Sequence, residues 1–154
     1  TLIKDALGAM QAQFVREYPR EVSQITALVE QAISLAEERL VQPVAAMERL
    51  KCDTGAEVLA GALYACLVSN EDFDRAMVVA VNHSGRSAAV GAIAGAILGI
   101  RLGEEALPEF YIECLEPAEV LRELADDLYT GCPMERGNKL FDLDWDYKYL
   151  HGGR

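Results

Sequence analysis

Ser87-Ala88-Ala89-Val90-Gly91-Ala92-Ile93-Ala94-Gly95-Ala96-Ile97-Leu98-Gly99-Ile100-Arg101-Leu102-Gly103 decides the fold class. Gly91, Gly95, Gly99 and Gly103 recur every fourth residue, which is slightly more than one helical turn, so they share one side of a helix. Each glycine costs a helix interior up to ~1 kcal/mol relative to alanine. Several on one side predict compensation from a neighbouring helix whose backbone approaches closely. A membrane span needs roughly 20 apolar residues, and Arg86 and Arg101 bound an uncharged run that is too short for one. The stretch therefore predicts a buried, central helix of an all-α domain.

Working towards the N-terminus, helical spacing continues. Phe73, Ala76, Met77, Val79 and Ala80 predict an inward face on a helix that ends near Val81. Val78 to Val81 has strand propensity, but it is short and has no partner strand. Ser69-Asn70 ends the helix before it, and Asn70 is a candidate cap for this one, with Glu71, Asp72 and Asp74 suited to the positive end of its dipole. Val58, Leu59, Ala62, Leu63, Cys66 and Leu67 predict a helix over 56–68, capped by Asp53 or Thr54 after the connector Lys51 to Gly55. Pro43 precedes a short helical turn over 44–50. Val22, Ile25, Leu28, Val29, Ile33, Ala36 and Leu40 form one stripe over 21–40, with Leu35 at its edge. Leu2, Ile3, Ala6, Leu7, Met10, Phe14 and Val15 predict a first helix over 2–18, and Pro19 ends it or opens the next one.

Towards the C-terminus, Pro108 breaks the chain before a short helix over 109–115. Pro117 opens another, with Val120, Leu121, Leu124 and Leu128 as its stripe. Gly131 and Pro133 end it. The reading is one all-α domain over 1–154, with an irregular tail from about 131 and a frayed end at Gly152 to Arg154.

The 154 residues, 51 % of them hydrophobic, suffice for one core and argue against disorder. A net charge of −11 opposes partners that are themselves polyanions, so nucleic acid and anionic membrane are not expected. Cys52, Cys66, Cys114 and Cys132 include no C-x-x-C pair, and with two histidines a zinc site is not expected. Cys66 reads as a small core residue. Thr1-Leu2-Ile3-Lys4-Asp5 lacks the basic start and apolar core of a secretory leader, so the expected setting is cytoplasmic with reduced thiols.

Ala56-Glu57-Val58-Leu59-Ala60-Gly61-Ala62-Leu63-Tyr64, the acidic turn with Phe73, Ala80-Val81-Asn82-His83-Ser84-Gly85 and Gly91-Ala92-Ile93-Ala94-Gly95-Ala96-Ile97-Leu98-Gly99 follow one another in a specific order. With Pro108 and the helix from Val120 to Leu128, they resemble the C-terminal half of the ADP-ribosylglycohydrolase family. The resemblance covers most of the chain, most firmly Ala56 to Leu128. It implies an all-α helical bundle. It also implies hydrolysis of the glycosidic bond joining ADP-ribose to a protein side chain or small molecule. The family uses two magnesium ions held by carboxylates from both halves of a chain about twice this length. Its C-terminal ligands come from a Gly-Asp-Ser-Asp-Ser-Thr-Gly motif after the Asn-His-Ser turn.

Here that motif reads Gly85-Arg86-Ser87-Ala88-Ala89-Val90-Gly91. Arg86 and Ala88 stand at the carboxylate positions and Val90 at the hydroxyl position. Magnesium requires oxygen ligands, so no metal residue and no catalytic residue carries over and no cofactor is expected. Arg86 places a fixed cation where the family places a metal. The expected reading is an inactive or truncated relative that binds an ADP-ribose-like ligand or a partner. Asn82, Ser84 and Gly85 could donate to a ribose or phosphate at the helix start, with Arg86 assisting and His83 ordering the turn.

Glu57 reads as a helix-edge carboxylate, the alternative being a buried acid near the place of the family's active site. Asp142, Asp144 and Asp146 begin like a calcium loop, but Tyr147 and Gly153 stand where its glycine and glutamate belong. Trp145, Tyr147 and Tyr149 are expected to pin the tail. The alternatives are a helical homo-oligomeric assembly module without a nucleotide role, whose uncovered apolar faces associate, and one half of a split hydrolase completed by a partner chain.

Overall fold

The computed structural model describes residues 2–38, 41–130 and 147–148. The fold is all-α. Its helices are α1 (Leu2–Phe14), α2 (Pro19–Glu37), α3 (Pro43–Leu50), α4 (Gly55–Ser69), α5 (Phe73–Val81), α6 (Ser87–Leu102), α7 (Glu109–Glu113) and α8 (Ala118–Thr130), with a 3-10 turn at Glu104–Ala106. Among the described residues there is no strand, so Val78 to Val81 is helical. No helix among them is long and apolar enough to cross a membrane. The chain groups into two compact units, Thr1–Pro108 and Glu109–Arg154.

In the first unit the centre is α4, not the glycine-spaced α6. Helix α4 packs against α2, α3, α5 and α6. It buries Val58, Ala60, Gly61, Ala62, Tyr64, Ala65 and Ser69, so its apolar surface runs round the helix. Its start is set by a capping box. Thr54 Oγ1 accepts from the Glu57 N–H at 3.4 Å, and the Glu57 carboxylate accepts from the Thr54 N–H at 2.9 Å. Asn70 does not cap the next helix. It ends α4 in the left-handed conformation, and Asp72 caps α5 through the Arg75 N–H.

Helix α6 buries only Val90, Ala94 and Leu98. Its glycines form the adjacent column. A Cβ on Gly91 would lie 3.1 Å from Val81 Cγ1, and one on Gly95 would lie 3.9 Å from Met77 Sδ, so α5 fills that side. Gly99 and Gly103 face open space, and Ile100 is 90 % exposed. The predicted close approach therefore holds along half of the column.

Pro19 and Pro43 sit at the first helical positions of α2 and α3, where a missing N–H costs nothing. Leu35, at one margin of the α2 stripe, is buried together with Val22, Val29 and Ala32, so the buried face is wider than the stripe. Helix α1 buries no residue, because only α2 lies closely against it. Its stripe is thus not core. Leu40 lies outside the described residues.

In the second unit α7 and α8 bury no residue. Val120, Leu121, Leu124 and Leu128 are 38–70 % exposed. Lys148 bonds Glu123 and Asp127 of α8, each at 2.6 Å. The tail readings at Gly131, Cys132, Pro133, Asp142, Asp144, Trp145, Asp146 and Tyr149 lie outside the described residues.

Candidate functional site

The turn Asn82 to Arg86 joins α5 to α6 and lies on the connector that joins α3 to α4. Gly85 makes that contact possible. A Cβ there would fall on the Lys51 carbonyl oxygen and lie 3.0 Å from the Cys52 carbonyl oxygen. No other residue type leaves room for the backbone to pass. The Arg86 N–H then donates to the Cys52 carbonyl at 2.9 Å.

The connector is bent to receive it. Lys51 has φ 63° and ψ −46°, and the Cys52 N–H donates to the Leu50 carbonyl at 2.7 Å. This is the positive-φ form of the γ-turn, which is rare and costs energy. Cys52 follows at φ 60°. Two such residues in succession, neither of them glycine, are held by their surroundings. Cys52 is buried against Gly61, where a Cβ would lie 2.5 Å from Cys52 Sγ. Burial, with help from the charges of Glu57, Asp53 and Glu48, pushes its thiol up to about 11.

The donors of the turn are spent inside the chain. Ser84 donates its N–H to Glu48 Oε1 at 2.7 Å and its hydroxyl to Glu48 Oε2 at 2.5 Å. Asn82 Nδ2 donates to the Val78 carbonyl at 2.6 Å. His83 Nδ1 accepts from the Gly85 N–H at 3.1 Å, which places its proton on Nε2, 2.9 Å from the Ala80 carbonyl. The Arg86 side chain is exposed and makes no ion pair among the described residues. Arg86 begins α6 without a side-chain cap.

These bonds shape the chemistry. The hydroxyl and N–H of Ser84 hold the Glu48 carboxyl below its usual range. A carboxylate so stabilised is a weak base, so Ser84 is not an activated nucleophile. The Thr54 N–H does the same to Glu57, which is a helix cap and not a buried acid.

The residues do not suit magnesium. Ala88 offers no side-chain oxygen, Arg86 offers a cation, and Val90 is fully buried in the apolar core. Among the described residues no three His, Cys, Asp or Glu side chains group as a metal site.

The five turn residues named from sequence therefore do form one local cluster. Glu48, Lys51 and Cys52 belong to it and were missed. Glu48 stands 36 residues from Ser84, and no local pattern connects them. No curated protein and no solved structure matches the chain. A family model described as ADP-ribosylglycohydrolase matches residues 1–138. With that match over most of its length, the chain belongs to the ADP-ribosylglycohydrolase family.

Proposed function

We propose that this chain is a non-hydrolytic member of its family that acts by binding. One observation carries the reading: the three positions of the ligand motif hold an exposed guanidinium, a methyl group and a buried valine. None can present an oxygen to magnesium, and no other described carboxylate cluster replaces them.

The ligand would be ADP-ribose-like and would meet the Asn82 to Arg86 turn. The internal bonds of Asn82, His83 and Ser84 keep the turn rigid. The N–H groups of Arg86, Ser87 and Ala89 are bonded within the chain, so the Arg86 guanidinium, at the positive end of the α6 dipole, is what is left to meet a phosphate. Glu48 works against an anion there. Its charge sets an upper limit on affinity, so the expected binding is weak.

Incubation with magnesium and an ADP-ribosylated peptide tests the first part. No release of ADP-ribose is expected, and multiple turnover overturns the reading. Calorimetry with ADP-ribose tests the second. Binding independent of magnesium and lost in Arg86→Ala supports it, and absence of binding removes it.

A second reading, homo-oligomeric assembly, is favoured by exposed Val78, Val81 and Ile100 on α5 and α6. Light scattering that gives a monomer at all concentrations excludes it.

A further inference from the structure

A cleft of about 850 Å³ opens between α1, α2, α4 and α6, apart from the turn described above. Its walls are aliphatic. Leu7 and Met10 of α1, Ile25 of α2, Leu63 and Cys66 of α4 and Ile97 of α6 are representative. Among the described residues no aromatic side chain lines it. Sites for nucleobases and other planar ligands commonly use stacking on aromatic faces, and this cleft offers none. Its volume lies within the range of small-molecule sites.

Among the described residues polar side chains enter only where α4 and α6 end. They are Asn70, Glu71 and Arg101. Arg101 donates Nε to Glu71 Oε1 at 2.8 Å, and its Nη2 bonds the same oxygen. The two charges cancel. Among the described residues, Arg101 Nη1, Glu71 Oε2 and the Asn70 amide make no hydrogen bond. That end is therefore electrically neutral, yet it offers donors and acceptors together.

We propose that this cleft binds an uncharged alkyl amphiphile, such as a monoacylglycerol, with its chain along the aliphatic walls and its hydroxylated head at Asn70, Glu71 and Arg101. The charge pattern selects the head group. A carboxylate head would have to displace Glu71 from Arg101, and a cationic head would have to displace Arg101 from Glu71. A hydroxyl head meets Nη1 and Oε2 without breaking the pair. The single unbranched chain matches walls of Leu, Ile and Met, whose burial of alkyl surface supplies the affinity. Helix α1 forms one wall while burying no residue, so it can shift to admit the chain.

The test is calorimetric titration of the full chain with monodecanoylglycerol below its micelle concentration, beside decanoate and decyltrimethylammonium. One-to-one binding of the glyceride, at least about tenfold tighter than either charged analogue, is expected. Ala6→Trp places an indole in the cleft from an exposed position of α1 and should abolish binding with the helical circular dichroism unchanged. Glu71→Gln should shift the preference towards decanoate, because Arg101 is then uncompensated. Equal binding of all three probes overturns the proposal. So does absence of glyceride binding, including the case in which a second copy or a protein partner covers the cleft, or undiminished binding by a folded Ala6→Trp.

Discussion

Glu48 on α3 and Ser84 in the turn before α6 are joined by two hydrogen bonds, of 2.7 and 2.5 Å, that use every donor Ser84 has. The pair ties the third helix to the sixth across 36 residues. It converts a turn that reads as a ligand-facing loop into part of the scaffold.

The carboxyl of Glu48 is depressed in the folded chain by the Ser84 hydroxyl and N–H. A depressed carboxylate contributes stability above its unfolded pKa, ordinarily about 4.3, and loses it as pH falls through the folded value. Glu48→Gln should therefore lower the melting temperature at neutral pH. The gap from the parent should close as the medium is acidified below the ordinary carboxylate range. Thermal melts of both proteins across that range check this, and a gap that widens in acid would contradict it.

Gly85 and Gly99 should respond in opposite directions to alanine. At Gly85 the new Cβ meets the Lys51 carbonyl, which is backbone and cannot yield. The expected loss is about 3 kcal/mol, the upper part of the overpacking range. At Gly99 nothing lies within 4 Å, and helix propensity gives a gain of up to ~1 kcal/mol. Urea denaturation of the two variants measures both.

Gly61→Ala should destabilise the chain by about 1–3 kcal/mol, because its Cβ would meet Cys52 Sγ at 2.5 Å and Met47 Cε at 3.2 Å. Cys52→Ala removes the sulfur and should recover part of that loss. A double-mutant cycle should then show a favourable coupling of at least ~0.5 kcal/mol. Additive effects would mean that the two residues do not clash.

Of the three thiols described, Cys114 is exposed, while burial raises Cys52 and Cys66 to about 11. Thiolate is the reactive form. Labelling of the native chain near pH 8, followed by peptide mapping, should modify Cys114 well before Cys52 or Cys66. In denaturant the three should react alike.

The magnesium prediction is also one of stability. A ligand that binds the folded chain raises its melting temperature by mass action. Millimolar magnesium should leave the melting curve where calcium-free, magnesium-free buffer puts it. A specific, saturable rise would show a metal site that the residues at 86, 88 and 90 do not provide.

Much of this was legible in the residues because the signals are local. The cap of α4 was read as Asp53 or Thr54, so the start of that helix could be placed from sequence; the structure chooses Thr54 and makes Glu57 its partner in a capping box. That Arg86, Ala88 and Val90 carry no carboxylate or hydroxyl is a matter of side-chain chemistry and was readable without coordinates. Ser69-Asn70 was read as the end of α4, as found, but Asn70 was also offered as the cap of α5, a role that falls to Asp72, since a residue that tolerates positive φ can end one helix as readily as it can begin the next. Helix α1 was read from periodicity, which reports amphipathicity but not what lies opposite, and the structure buries none of its residues. The glycine column was read as the mark of the central helix. It marks one close neighbour, α5, and only along Gly91 and Gly95.

By itself the sequence determined the all-α class, the order of the helices and the absence of oxygen ligands at the motif, because each follows from neighbours within a turn or two. Only the tertiary structure decided that α4 is the centre, that Gly85 lies on the Lys51–Cys52 bend and that Glu48 takes the donors of Ser84. Those relationships depend on which surfaces meet after the chain folds back. Helical periodicity carries no record of that, because one apolar stripe can pack against any other.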